Sequence, residues 1–265
     1  MILQHLMKST TVTRPSWTGI LALGCALVAA VSPSTAADFS VSPMVVELKP
    51  GARSAEIHVR NLDKQPIRFQ IRGTDWSQDE SGKNVYVDSK SLIWFPRAIE
   101  LAPDESRIVR VGVRATPATK EQAYTVFLQE VTLSDAPIGR TGGAQIRLLL
   151  SISVPVFVPP LKPMPGGTIE SFELRGGSVE FVVANQGNLH FSYAEAAISG
   201  LGADGTEKFT HKSRGKTLLP GSRQQFQVSI PQSVCGQLKM LVLTLTTSEQ
   251  SEIKRRLDVL RADCQ

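Results

Sequence analysis

The sequence lacks the features that mark most enzymes. It has only four histidines and three cysteines in 265 residues, and they do not show the spacing of a metal site. No GxSxG, HExxH, phosphate-binding loop or dinucleotide-binding glycine pattern occurs. The carboxylates near Trp76, namely Asp75, Asp79 and Asp88, fit ordinary exposed turns. We therefore expect a protein that is not an enzyme, with no catalytic residue, metal ligand or cofactor.

Other absences exclude further classes of protein. The formal net charge is only +5, and the basic residues are dispersed along the chain, which does not indicate binding to nucleic acid. The missing phosphate-binding loop also argues against a nucleotide partner. After residue 37 no apolar run approaches the length of a membrane-spanning helix. We expect the chain to act through contacts with other proteins.

The first 37 residues have the three-part pattern of a secretory signal peptide. Lys8 and Arg14 give a positive start, and the apolar run 19–31 is too short to span a bilayer comfortably. Small residues follow and end in Ala36 and Ala37, next to the expected cleavage site. The sequence therefore predicts an exported protein whose mature chain begins near residue 38.

Export bears on the two cysteines that remain after cleavage, Cys235 and Cys264. Oxidising compartments favour disulfides, so we expect these two residues to be joined. The bond would close a loop of about thirty residues and stabilise the second half by roughly 3–4 kcal/mol on the chain-entropy model. The alternative is a pair of free thiols.

From residue 38 onward, short segments of alternating apolar and polar residues are separated by turn signals. The segment SAEIHVRN, for example, places Ala55, Ile57 and Val59 on one face. The segment TLLPGSRQQFQVSI in the second half repeats the pattern of LAPDESRIVRVGV in the first half. We predict an all-β fold of two tandem immunoglobulin-like β-sandwich domains, 38–158 and 168–265, joined by a proline- and glycine-rich linker, 159–167.

The most unusual segment is IRLLLSISVPVFV, residues 146–158, which alternates over thirteen residues. Fully extended it would reach roughly 43 Å, whereas strands are typically about 5–6 residues long. It is either a core strand bent at Pro155 or an edge strand whose first half is offered to another protein. In the second case its apolar side chains would fill slots on the partner.

Together these segments resemble the periplasmic pilus (fimbrial) chaperones of the chaperone–usher pathway. The resemblance covers the mature chain: two immunoglobulin-like domains, a first strand ending at KPG, a glycine-rich loop at 132–144 and a proline boundary after PVFVPP. It implies a periplasmic protein that lends its long strand to a pilus subunit and delivers the subunit to an outer-membrane usher. The donated residues would be Ile146, Leu148, Leu150, Ile152 and Val154.

In that family, basic residues in the cleft between the domains anchor the C-terminal carboxylate of the subunit. Typical members carry an arginine in the first strand and a lysine in the long strand, but here those places fall near Val45 and near Val154 or Pro155. The PVFVP ending and the FPR…LAPDESRIVRV region are closer to the archaic, spore-coat-U-type branch. Because arginine can bind a carboxylate in bidentate geometry, we predict Arg97 and Arg110 as the anchor. The alternatives are Arg107, Arg114 and Arg147.

Two other hypotheses remain at this point. A structural or adhesive surface protein of two β-sandwiches would keep the long strand protected within its own sheet. A carbohydrate-processing enzyme would need a carboxylate pair, which the sequence does not reveal. The sequence also leaves open whether free molecules associate with one another through the long edge strand.

Overall fold

A computed structural model describes residues 38–48, 52, 54–114, 118–131 and 149–264. The predicted signal peptide, the KPG turn and the loop 132–144 lie outside these residues. Ile146 and Leu148 of the predicted long strand also lie outside them. Within the described part, nearly all regular structure is β-strand, which confirms the predicted all-β fold of two sandwiches.

The first sandwich, residues 39–158, contains the strands β1 to β10. They are β1 (Phe39–Ser42), β2 (Val46–Glu47), β3 (Ser54–Asn61), β4 (Ile67–Gln78), β5 (Asn84–Asp88), β6 (Leu92–Phe95), β7 (Ala98–Leu101), β8 (Ser106–Val113), β9 (Gln122–Val131) and β10 (Ser151–Val158). One sheet has the order β1-β3-β8-β6, and the other has the order β2-β10-β9-β4-β5 with β7 also paired to β4. All neighbours are antiparallel except β2 and β10, which run parallel.

Alternation along the strands places one apolar row of each sheet in a shared core. Ile57 and Val59 of β3 face Phe69 and Ile71 of β4 in this core, and all four are almost fully buried. The Trp94 ring packs directly on Gly73 of β4, where a Cβ atom would lie 2.5 Å from the ring. Only glycine fits against that ring without displacing it.

The second sandwich contains the strands β11 to β18, one short α-helix and a 3-10 helix. They are β11 (Gly167–Arg175), β12 (Ser178–Asn185), β13 (Phe191–Gly202), β14 (Glu207–Arg214), β15 (Thr217–Leu218), β16 (Arg223–Ser229), α1 (Gln232–Cys235), β17 (Leu238–Thr247), β18 (Glu252–Asp258) and the 3-10 helix Arg261–Cys264. Its sheets have the orders β11-β12-β16 and β14-β13-β17-β18, with β15 also paired to β13.

Cys235 and Cys264 form a disulfide with a Cα–Cα distance of 5.8 Å, as the sequence predicts. Both cysteines are buried in the core of the second sandwich. The bond therefore joins α1 to the 3-10 helix at the C-terminal end of the described chain.

The predicted long strand is strand from Ser151 to Val158, and Leu149 and Leu150 precede it without strand structure. Its register with β9 is continuous through Pro155, which lies opposite Thr125. The proline therefore does not interrupt the pairing of β10 with β9.

Candidate functional site

Strand β10 is only partly covered on the side away from β9. The parallel strand β2 is two residues long and pairs with Val156 and Phe157 at the end of β10. Among the described residues, no strand pairs with Ser151–Val154 on that side. This part of β10 is the open edge of the sheet.

Two main-chain hydrogen bonds show which groups of β10 point to the open edge. The N–H of Glu130 on β9 donates to the carbonyl of Leu150 at 2.8 Å, and the N–H of Leu48 donates to the carbonyl of Phe157 at 2.8 Å. Because successive residues of a strand bond to opposite sides, the even-numbered residues bond to β9. The odd-numbered residues present their main-chain groups to β2 or to the open edge.

The open edge therefore offers the N–H and C=O groups of Ser151 and Ser153 and the C=O of Pro155. A proline in this place removes no hydrogen bond from the ladder with β9, because its missing N–H would point away from β9. Unpaired main-chain groups of this kind form a template for an incoming strand.

The donor side chains predicted from the sequence differ in accessibility. Leu150 is 36% exposed, and Ile152 is half-buried. Val154 is fully buried in the core of its own sandwich, where it is not available to a partner. Among the described residues, the accessible part of the predicted donor row is therefore Leu150 and Ile152.

A cleft of about 950 Å³ lies between the two sandwiches, beside β10. Ser153 and Pro155, whose side chains are opposite to the core row of β10, form part of its wall. Trp76 and Tyr86 of the same sheet also line the cleft, and so does Tyr193 of the second sandwich, whose side chain is buried in its own core. The open edge and the cleft therefore adjoin each other along β10.

The cleft is cationic. Lys83, Arg214 and Lys216 line it and are exposed, and no aspartate or glutamate is among its described lining residues. The amine of Lys216 donates to the side-chain oxygen of Gln224 at 2.8 Å. None of the three cations forms an ion pair with a described carboxylate. Such a cleft attracts an anionic group.

These three cations were not predicted from the sequence, because the wall that they complete exists only once the two sandwiches have packed. Arg214 and Lys216 flank Gly215 more than fifty residues after β10. The basic character of the segment is visible in the sequence, but its position opposite β10 is not.

Arg97, predicted as an anchor, lies elsewhere in the first sandwich. Its guanidinium carbon is 3.6 Å from the centre of the Trp94 ring, a cation–π contact. Its carbonyl accepts a hydrogen bond from the N–H of Ile71 on β4, and β9 separates β4 from β10 in the sheet. Arg97 does not line the cleft.

Arg110, the other predicted anchor, is on β8 in the opposite sheet. Its Nε lies 3.2 Å from the carboxylate of Glu56, and the side chain is exposed. Arg107 is paired with Glu105 at 2.6 Å, and Arg147 is outside the described residues. Arg110 lies opposite Phe95 of β6, two residues before Arg97, and neither arginine lines the cleft. Their role as the anchor stays a prediction.

Two sets of contacts fix the sandwiches against each other at the end of the cleft. The side-chain amide of Gln78 donates to the carbonyl of Thr217 at 2.8 Å and accepts from the N–H of Leu219 at 2.9 Å. Trp76 and Phe157 pack with Leu219 in a small buried cluster. Because this junction combines hydrogen bonds with apolar contact, it fixes the distance between the two walls of the cleft.

His190 supplies the second set of contacts, and the sequence alone predicts no role for it. Its ring stacks on Phe157 with a centroid distance of 3.9 Å and contacts the carboxylate of Glu121. Glu121 and His190 are 69 positions apart, so only the fold reveals the pair.

Neither a metal site nor a membrane-spanning helix is found in the described part of the chain. No group of three or more His, Cys, Asp and Glu side chains there could hold a metal ion. None of the helices there has the length and apolar character needed to cross a membrane.

Several solved structures share this architecture. A chaperone–subunit complex of CsuC and CsuE from the archaic chaperone–usher Csu pili of Acinetobacter baumannii is 17% identical, with a TM-score of 0.56 over 82% of this chain and 98% of that chain. The YadV chaperone is 12% identical, with a TM-score of 0.54 over 83% and 99%. The class 5 fimbriae chaperone CfaA is 15% identical, with a TM-score of 0.51 over 84% and 100%. At these identities the similarity shows a common fold.

Comparison of sequences gives a more specific result. No curated protein sequence matches this chain significantly. Residues 38–163 match the family of pili and flagellar-assembly chaperones in the PapD N-terminal domain. The recognition of a pilus chaperone from the sequence is thereby confirmed for residues 38–163, which form a PapD N-terminal domain of the pili and flagellar-assembly chaperones.

Proposed function

We propose that this protein is a periplasmic chaperone that binds a pilus subunit, lends it a strand and delivers it to an outer-membrane usher. The observation that carries the proposal is the open edge at Ser151–Val154 beside a cationic cleft. The family supports a role in pilus assembly. Strand donation, export to the periplasm and delivery to an usher are our inference.

The open edge suits a subunit whose own sheet lacks a strand. A subunit strand placed beside β10 would exchange main-chain hydrogen bonds with Ser151 and Ser153, which gives affinity without dependence on subunit sequence. Leu150 and Ile152 would supply apolar side chains to the exposed subunit core, together with the predicted residues Ile146 and Leu148. The serine side of the strand would remain toward the cleft.

The cleft suits the C-terminal carboxylate of the subunit. A carboxylate that enters beside Pro155 would meet Lys83, Arg214 and Lys216, none of which it would have to displace from another carboxylate. A charge-assisted hydrogen bond of this kind contributes about 1.5–3 kcal/mol. We infer that the cleft cations are candidates for the anchor beside the sequence-predicted Arg97 and Arg110.

The cycle that we propose requires no ATP. The next subunit would replace β10 with its own strand, so the donated contacts must be strong enough to protect the subunit and yet exchangeable. We also propose membership of the archaic branch, because of the PVFVP ending and the missing basic residues near Val45 and Val154.

Co-expression with a pilus subunit tests the donor strand. Leu150→Asp places a charge in the proposed apolar contact, so we expect the yield of soluble chaperone–subunit complex to fall at least about tenfold. The matched control is Leu161→Asp, a leucine that is 78% exposed and outside the strand. If Leu150→Asp preserves the complex as well as Leu161→Asp does, the donor-strand proposal is wrong.

Affinity measurements with the same subunit locate the anchor. We expect Lys216→Ala and Arg214→Ala to weaken binding by about 10–100-fold if they hold the carboxylate, since one charged hydrogen bond contributes about 1.5–3 kcal/mol. Arg97→Ala and Arg110→Ala test the sequence prediction in parallel. A subunit with an amidated C-terminus should lose the same affinity, and a loss with the Arg97 variant alone would move the anchor to β6 and β7.

A further inference from the structure

The sheet that carries β10 has a second unprotected edge at β5 (Asn84–Asp88). Among the described residues, β5 pairs only with β4, and all five of its residues are exposed. Val87 is 60% exposed and Val85 is 38% exposed. The strand contains no proline, and no bulge interrupts its pairing with β4. Prolines and bulges are features with which proteins normally protect an edge, and β5 has neither.

The hydrogen bonds at the two ends of β5 define which of its main-chain groups face outward. The N–H of Asp79 donates to the carbonyl of Lys83 at 3.0 Å, and the N–H of Ser89 donates to the carbonyl of Gly73 at 3.2 Å. The odd-numbered residues of β5 therefore bond to β4, because the pattern alternates along the strand. The main-chain groups that point away from the sheet belong to Asn84, Tyr86 and Asp88.

The sequence of β5 is self-complementary. It reads Asn-Val-Tyr-Val-Asp, with a polar residue at each end and a valine on each side of Tyr86. We propose that β5 pairs antiparallel with β5 of a second copy of this chain, about a twofold axis at Tyr86. Each outward-facing residue then exchanges two main-chain hydrogen bonds with the second copy.

The polar side chains fit this register. Asn84 lies opposite Asp88 of the second copy, and its side-chain oxygen already accepts hydrogen bonds from Trp76 at 3.1 Å and from Gln78 at 2.9 Å. The Asn84 side chain also forms a hydrogen bond with Tyr86 of the same strand, and an amide is a compatible neighbour for a carboxylate. Asp88 uses its Oδ1 for Arg72 at 2.8 Å, which leaves its other oxygen as an acceptor.

The other face of the strand is apolar and has no unfavourable charge pair. Val85 lies opposite Val87 of the second copy, and the reverse pair is formed by symmetry, so four exposed valines become mutually covered. Lys83 lies opposite Ser89 in the same register, and the pairing ends there because Gly82 is buried against Arg223 and Gln224 of the second sandwich. Like charges therefore do not face each other across the axis.

A dimer of this kind would leave the strand-donating edge of β10 free, whereas Lys83, Asn84 and Tyr86 at the dimer contact also line the cleft. Strands β5 and β10 are at opposite sides of one sheet, with β4 and β9 between them. Pairing through β5 leaves the open edge of β10 accessible, whereas self-association through β10 would block it.

Sedimentation velocity over a concentration series tests the proposal on the purified mature protein. We expect a monomer–dimer equilibrium, and Val87→Lys should raise the dimer dissociation constant by about tenfold or more, because it opposes an apolar neighbour with a charge. The matched control is Leu150→Lys, a partly exposed leucine beside the opposite edge, which should leave the dimer unchanged. Thermal unfolding confirms that each variant is folded, and Val85→Lys serves as a second variant.

Three outcomes would overturn the proposal: a wild-type protein that stays monomeric, a folded Val87→Lys or Val85→Lys variant that still dimerises, or a dimer that only Leu150→Lys disrupts. Cysteine cross-linking tests the register separately. A mixture of Val85→Cys and Val87→Cys chains should cross-link faster than either chain alone, since those positions face each other only between unlike chains. Equal rates would exclude the twofold axis at Tyr86.

Discussion

Glu121 of the first sandwich accepts two hydrogen bonds from His190 of the second. The main-chain N–H of His190 lies 2.7 Å from Oε2 of Glu121, and the ring Nδ1 lies 2.8 Å from the same oxygen. Because a carboxylate oxygen only accepts, Nδ1 carries the proton in this contact. The Glu121 side chain is only 3% exposed, so the pair is a buried link between the sandwiches.

Glu121→Ala should loosen this link. Removing the carboxylate leaves two donors of His190 without an acceptor in a buried place, so we expect the free energy of unfolding to fall by about 2–4 kcal/mol. Small-angle scattering should show a wider range of angles between the sandwiches. The control is Glu249→Ala, which changes an exposed glutamate. Equal stability of the two variants would contradict a structural role for the pair.

Gly73→Ala should destabilise the first sandwich. A Cβ atom would lie 2.5 Å from Cζ3 of Trp94 and 2.8 Å from Cδ2 of Leu92, and neither buried side chain has room to withdraw. Overpacking of this kind costs about 1–3 kcal/mol, which urea denaturation measures. Gly236→Ala is the matched control, because its Cβ would meet no atom closer than 3.9 Å.

Loss of the disulfide should destabilise the second sandwich selectively. Cys235 and Cys264 are 29 positions apart, and opening a loop of about thirty residues costs about 3–4 kcal/mol. We expect the unfolding transition of the second sandwich to shift to lower urea concentration when the protein is reduced. The double variant Cys235→Ala and Cys264→Ala should show the low value with or without reductant. If reductant shifts only the unfolding transition assigned to the first sandwich, that assignment is wrong.

Tyr193 should make the second sandwich sensitive to alkali. Burial raises the pKa of its phenol above the ordinary value of about 10, and its hydroxyl has no hydrogen-bond partner among the described residues. The unfolded chain would therefore ionise first, so stability is fully present below pH 10 and falls as the pH rises above it.

The variant Tyr193→Phe isolates this effect. It removes a buried hydroxyl without a partner, so we expect stability at pH 7 to be unchanged or higher by about 1 kcal/mol. Above pH 10 the second sandwich of the variant should lose less stability than that of the wild-type protein. Urea denaturation at pH 7 and pH 10.5 gives both values, and parallel losses in the two proteins would contradict the assignment.

The alternation of residues along the chain was sufficient to predict the two sandwiches, because burial of one face imposes a period of two on each strand. Cys235 and Cys264 were predictable as a pair because few cysteines remain after the signal peptide. The interpretation of Pro155 required the structure. A proline is compatible with a bend or with an edge, and the hydrogen bonds on each side of β10 decide for the edge.

Sequence patterns could not predict which residues line the cleft. Lys216 and Pro155 line the same cleft because Gln78, Glu121 and His190 orient the second sandwich, and these contacts join residues that are distant along the chain. Arg97 was predicted from its neighbours in sequence, but its stacking on Trp94 depends on the turn between β6 and β7. The alternation of side chains within a strand depends on neighbouring residues. The position of a charge relative to another domain depends on contacts between residues that are distant along the chain.

Residue-resolved hydrogen exchange along β10, with and without a bound pilus subunit, shows whether this strand pairs with the subunit. In the free protein the amides of Ser151 and Ser153 should exchange quickly, while those of Ile152 and Val154, which bond to β9, should be protected. In a one-to-one complex all four should be protected, because the subunit strand pairs with the open edge. If Ser151 and Ser153 exchange equally fast in the complex, β10 donates no strand and the account is contradicted.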